Sequence, residues 1–153
     1  MVRLSDTPES MRHRLEGLEC PQFESTPWVA GPPLATRRIA IISTAGLQKR
    51  GDRPFAWGAN DYRVIPGATR AADIIMSHVS TNFDRSGFQQ DINVVFPIDR
   101  LRELVDDGVI GSVADYHYSF MGATEPEQMA ATAAHLAELL AADGVDGALL
   151  APV

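Results

Sequence analysis

Apolar runs alternate with amphipathic stretches along this chain, and their periods separate strands from helices. Arg38-Ile39-Ala40-Ile41-Ile42-Ser43-Thr44 is continuous and rich in β-branched residues, which predicts a parallel strand buried on both faces and closed by Ala45-Gly46. Tyr62 to Ile65 predicts a short strand stopped by Pro66-Gly67, and Ala72 to Val79 fits helix and strand equally. Asp91 to Phe96 reads as another apolar strand introduced by polar residues, and Val113 to Phe120 alternates as a strand followed by Met121-Gly122. A last strand begins at Val145 and carries the run Gly147-Ala148-Leu149-Leu150-Ala151.

Three stretches have the helical period. Pro8 to Leu18 places Met11, Leu15 and Leu18 on one face, with Asp6 or Thr7 as cap and Glu9 near the positive end of the dipole. Pro97 starts a helix that carries Leu101, Leu104 and Val105 and ends at Gly108. In the last and clearest helix, Thr124 and Glu127 predict a capping box, Pro126 sits in the first turn and Gly144 follows the end. Met129, Ala133, Leu136, Leu139 and Leu140 form its apolar face, which leaves His135 at the surface or its boundary. Between Cys20 and Pro33 the chain turns to Pro, Ser, Thr and Gly around Phe23 and Trp28, the pattern of an extended strap docked at its aromatics. Leu47 to Asn60 reads as one long loop, of a length that is usually functional or mobile.

This order of elements predicts an α/β domain over residues 34–153, preceded by a helix and strap over 1–33. Its sheet is expected to be mostly parallel and flanked by helices, Rossmann-like or flavodoxin-like, and incomplete at the C-terminus, where no helix follows the last strand to cover it. In such sheets ligands gather beyond the carboxyl ends of the strands.

Composition narrows the function classes. The 153 residues suit one domain, and a formal net charge of −7 opposes nucleic-acid binding. No apolar run reaches the roughly 18–20 residues of a membrane span, and the first residues lack a signal-peptide pattern, so a cytoplasmic protein is expected. The single cysteine, Cys20, excludes an internal disulfide and any multi-cysteine zinc site. The sequence holds no Gly-x-Gly-x-x-Gly after Thr44, no Gly-Lys-Ser/Thr phosphate loop and no Gly-x-Ser-x-Gly elbow.

The candidates for chemistry are His78, Asn82, Asp84 and His117, with Asp91 and Asn93 behind them. A histidine–carboxylate set serves acid–base work or metal binding, and equally occurs as satisfied loop and core residues. Asp91 and Asn93 fit backbone capping best.

Several blocks resemble the selenoprotein B subunits of the glycine, sarcosine, betaine and D-proline reductases. These are Ser43-Thr44-Ala45-Gly46, Tyr62-Arg63-Val64-Ile65-Pro66, Met76-Ser77-His78, the long run Asp91 to Leu104, Phe120-Met121-Gly122 and Gly144-Val145-Asp146. The resemblance covers roughly 34–153 and leans towards the smaller D-proline reductase subunit. It implies reductive cleavage of a C–N bond in an amino acid or its N-methyl derivative, with a pyruvoyl group on a partner subunit activating the substrate amine. It also implies a selenocysteine or cysteine nucleophile immediately after Val153, and a thiol/disulfide electron donor. Because UGA encodes selenocysteine and is read as stop in gene finding, the chain is expected to be the N-terminal part of a longer domain. It would hold no catalytic residue of its own and be inactive alone, while His78, Asn82, Asp84 and His117 line the substrate site. No metal and no cofactor bound by this chain are expected. The other reading is a short non-catalytic relative that binds an amino-acid-like ligand or a partner. Ser80-Thr81-Asn82-Phe83-Asp84 departs from the glycine-rich stretch of the D-proline subunit, which leaves the substrate open.

Overall fold

β1 (Arg38–Ser43) is the axis of the molecule, and everything that positions the candidate site hangs from it. The computed structural model describes residues 3–17, 22, 24, 28–80 and 85–153. On one side β1 pairs in parallel along its length with β7 (Gly147–Ala151), from Ile39 opposite Gly147 to Ser43 opposite Ala151. On the other side it pairs first with β5 (Ser112–Val113) and then with β6 (Tyr116–Ser119), both parallel. β3 (Arg63–Pro66) closes that side antiparallel to β6, so the sheet is mixed. β1 and β7 do pair in parallel, but the sheet as a whole is mixed rather than the mostly parallel, Rossmann-like or flavodoxin-like sheet expected. The direction of β3 follows from its loop, which returns the chain at the carboxyl end of β6, where Arg63 lies opposite Ser119.

Two layers cover the sheet. α3 (Ile98–Asp106) packs Ile98 and Leu101 against Ile39 and Ile41, together with Leu47, Ile65, Phe96 and Ile110. α4 (Ala130–Ala142) puts Leu136 on the opposite face against Tyr118 and Phe120, with Ile42, Tyr62 and Leu140 alongside. Each such side chain contributes roughly 1.5–3 kcal/mol when fully buried. The β7 edge is less covered. Leu150 stays 67% exposed, and a groove of about 760 Å³ runs between β7 and α3, lined by Trp28, Leu34, Leu101, Leu104 and Leu149.

Several expectations are corrected. Leu47–Lys49 is a strand, β2, rather than loop, because it pairs antiparallel with β4 (Ile74–Met76) and thereby also resolves the ambiguous 72–79 segment. Asp91 to Phe96 is not a strand: the Asp91 carboxylate accepts the Asn93 N–H at 2.9 Å and winds Ile92–Val94 into a 3-10 turn. Asn93 in turn accepts the Asp99 N–H at 3.0 Å in the first turn of α3, so both polar residues cap the backbone as expected. The expected single strand over 113–120 splits at Ala114-Asp115 into β5 and β6.

The capping box of the last helix does not form. Thr124 donates to Ala59 O at 2.6 Å, and a 3-10 turn over Pro126–Met129 precedes α4. Ala133 of the expected buried face is exposed, while Met129, Leu139 and Leu140 are partly buried. The N-terminal helix is shorter than expected, α1 (Glu9–Glu16), preceded by a 3-10 turn over Leu4–Asp6 and capped by no side chain. Met11 and Leu15 are exposed; Leu18 lies outside the described residues, as do Cys20 and Phe23. Trp28 is exposed rather than docked. No helix among the described residues is long and apolar enough to cross a membrane.

Candidate functional site at the carboxyl end of the sheet

β1, β6 and β7 all point their carboxyl ends at one region, and the segments leaving them are knitted together there. The Thr44 hydroxyl accepts the Val153 N–H at 2.8 Å and faces the Val153 carbonyl at 3.3 Å. Gly122 donates to Thr44 O at 2.9 Å, and Gly46 donates to Phe120 O at 2.9 Å. A side chain at Gly122 has no room, since its Cβ would lie 2.5 Å from Val153 O and 2.9 Å from Thr44 O.

His78 joins this cluster through Gly46. Ser77 donates its N–H to Gly46 O at 2.9 Å, and the His78 backbone passes so close that a Cβ on Gly46 would sit 3.0 Å from His78 Cα. The ring is only 6% exposed. Its Nδ1 accepts the Ser80 N–H at 3.1 Å, which assigns the proton of the neutral ring to Nε2. Arg85 donates to His78 O at 2.6 Å and to Ser80 O at 3.0 Å, holding the turn that presents the ring. Burial pushes the His78 pKa down and the positive charge of Arg85 lowers it further, so the ring stays neutral.

The loop over residues 50–62 is pinned to the same end. The Ser77 hydroxyl accepts the Phe55 N–H at 2.9 Å while donating to Gln48 Oε1 at 2.6 Å. Arg63, almost buried, threads the loop: it donates to Arg53 O at 2.8 Å, pairs with Asp61 at 2.9 Å and lies 4.3 Å over the Phe55 ring. Thr124 ties the far side of the loop at Ala59.

His117 is placed elsewhere. It is fully buried on the α3 face, edge-on to Phe96, and its Nδ1 accepts the Ile41 N–H at 3.0 Å in mid-β1. That is the point where β1 leaves β5 and has not yet reached β6, so the ring replaces a missing ladder bond. Ser119, two residues on, does the same for the Leu47 N–H at 2.8 Å. Burial first, then the charge of Arg102, depresses the His117 pKa to about 4. The structure thus sets His78 among the strand ends and His117 in the core. Asn82 and Asp84 lie outside the described residues. Among the described residues no group of three or more His, Cys, Asp and Glu is arranged to hold a metal ion.

Sequence reasoning passed over Thr44, Gly122 and Arg63 as individual site residues. Small and hydroxyl residues directly after a buried strand were the available signal for the first two.

Together these features define an α/β protein with a mixed sheet and a cluster of hydrogen-bonded segments beyond the carboxyl ends of its parallel strands. The chain belongs to the glycine/sarcosine/betaine reductase selenoprotein B family, which matches residues 18–153. It is 32% identical over 115 residues to D-proline reductase subunit gamma of Acetoanaerobium sticklandii, a match covering 73% of this chain and 47% of that protein. It is 29% identical to betaine reductase complex component B subunit beta of Peptoclostridium acidaminophilum, covering 76% of this chain and 28% of the relative. Glycine reductase complex component B subunit gamma of Carboxydothermus hydrogenoformans is also 29% identical, over 87% of this chain and 32% of its own length. The chain therefore spans less than half the length of these relatives. No solved structure matches it.

Proposed function

We propose that this chain forms the substrate-side scaffold of a selenium- or cysteine-dependent reductase that cleaves the C–N bond of an amino acid or its N-methyl derivative. The observation that carries this reading is the Thr44–Gly122–Val153 knot beside His78, built from segments that fall within the family match. A residue following Val153 would start from a backbone already bonded on both its N–H and C=O sides to Thr44, which suits a nucleophile that must be aimed. A selenocysteine or cysteine at that position would supply the nucleophilic anion, a pyruvoyl group on a partner subunit the activation of the amine, and a dithiol the two electrons, leaving as a disulfide.

This chain's own residues bind and orient. His78, a neutral ring on the turn beside the strand ends, is assigned to the substrate-binding side of the site. Asn82 and Asp84, four and six residues further on, are assigned to the same substrate-binding loop on sequence alone. His117 supports the site from within by fixing β1 and β6 relative to one another. We assign residues 34–153 to the N-terminal part of one α/β domain and expect it to work in the cytoplasm.

The DNA beyond the Val153 codon tests the placement of the nucleophile. A UGA or cysteine codon in a homologous frame is expected, whereas UAA, UAG or an unrelated frame contradicts it. The protein carrying that residue, combined with the pyruvoyl subunit and a dithiol, is expected to cleave the C–N bond of one of four substrates, releasing ammonia or an amine from glycine, sarcosine or betaine, or opening the ring of D-proline to 5-aminopentanoate. Failure with all four contradicts the reductase reading.

A further inference from the structure

Trp57 is 81% exposed, yet it stands on a highly determined piece of backbone. Two residues before it, the Phe55 N–H is fixed to the Ser77 hydroxyl; two residues after it, Ala59 O is fixed to the Thr124 hydroxyl. Between these anchors Ala59 donates to Ala56 O at 3.1 Å, with Gly58 at φ +71°, the turn that presents its second residue outward. Phe55 tucks under the Arg63 guanidinium, so the loop buries one aromatic to hold another out in solvent. The platform adjoins His78 through Ser77 and Gly122 through Thr124.

A large apolar ring left in water on a rigid turn forgoes burial that a floppy loop would find by folding back. On association it loses little conformational freedom, which is the property of an interface anchor. The partner must approach from this end, because the strand termini and His78 are here. The matched relatives are, by their names, subunits or complex components, which gives the ring a class of protein to meet.

We propose that Trp57 is a preformed anchor that seats in an apolar pocket of the partner reductase subunit and sets that subunit over the carboxyl end of the sheet. The proposal rests on the reductase reading above and adds to it the residue that makes the joint. Trp57 acts by positioning the partner.

The test is photo-crosslinking in the assembled complex in its native host, with p-benzoylphenylalanine in place of Trp57. The same probe in place of Val109, which is exposed just before β5 at the amino end of the sheet, is the control. An adduct with the pyruvoyl-bearing subunit from position 57 but not from position 109 is the expected result. An adduct with a second copy of this chain or with the segment following Val153, equal adducts from both positions, or none from 57 overturns it. In parallel, Trp57→Ala is expected to weaken association with the partner about 30-fold, the size of a hot-spot truncation, and Trp57→Phe by less. The melting temperature and the turnover at saturating partner should not change. A higher substrate KM with unchanged association would make Trp57 a wall of the substrate site and overturn the proposal. If no reductase subunit accompanies the chain in any variant, the reductase reading itself fails. If the subunit accompanies it and is indifferent to Trp57, only the anchor fails.

Discussion

Two histidines show how the same side chain serves opposite ends of the design. Both are neutral and both accept a backbone N–H at Nδ1. His78 accepts from a residue two positions away, on a turn held by Arg85 beside the strand ends. His117 accepts across 76 residues, from the middle of the central strand, and is sealed under Phe96. The first arrangement fixes a ring on a turn beside the strand ends. The second uses a ring as a substitute for sheet pairing. Reach along the chain separates a locally held ring from one that ties distant parts of the sheet together.

The comparison breaks most visibly by truncating each ring. His117→Ala leaves the Ile41 N–H unpaired and a void under Phe96, and should cost about 3 kcal/mol in urea unfolding. His78→Ala removes the acceptor of the Ser80 N–H, a local bond, and should cost about 1 kcal/mol. Equal losses would erase the distinction.

Acid sharpens it next. The folded His117 pKa is about 4 against 6.5 for an unperturbed ring, so the unfolded chain takes up the proton first as pH falls. The contribution is complete above about pH 6.5 and drains by about 1.4 kcal/mol per pH unit down to about pH 4, roughly 3 kcal/mol in all. The lowered His78 pKa adds loss of the same sign. Unfolding free energies across that window should show a markedly shallower slope in His117→Gln than in the wild type.

At the strand ends the effects on stability are smaller. Gly122→Ala drives a methyl group into Val153 O and Thr44 O and should cost about 2 kcal/mol while displacing the Val153 backbone. Thr44→Val removes the acceptor for the Val153 N–H and should cost about 1 kcal/mol, with faster amide exchange at Val153; Thr44→Ser should restore both.

Much of the fold was legible because its main elements announce themselves locally. β1 and β7 are unbroken apolar runs, and α3 and α4 carry a continuous helical stripe. β2 and β4 were not legible: each is three residues long, and Gln48 and Lys49 give β2 a polar text although Gln48 is buried by its bond to Ser77. The split between β5 and β6 is invisible in an alternating stretch, because it is decided by how β1 divides its pairing between them. His78 was legible as a candidate for chemistry, although the text around it fits helix and strand equally. The role of His117 was not, since nothing near it in sequence reveals that Ile41 lacks a partner. Trp57 is a Trp-Gly pair in polar text, and only the bonds to Ser77 and Thr124 give it meaning.

The most direct test of the central claim, that the reductase chemistry sits at the carboxyl end beside His78, is C–N bond cleavage by the assembled reductase carrying His78→Ala, at a temperature where the variant is fully folded. A fall in kcat/KM of at least about tenfold, as expected for loss of a hydrogen bond made to the reacting substrate, is the result predicted. Unchanged kcat/KM would contradict it and move the site away from this end of the sheet.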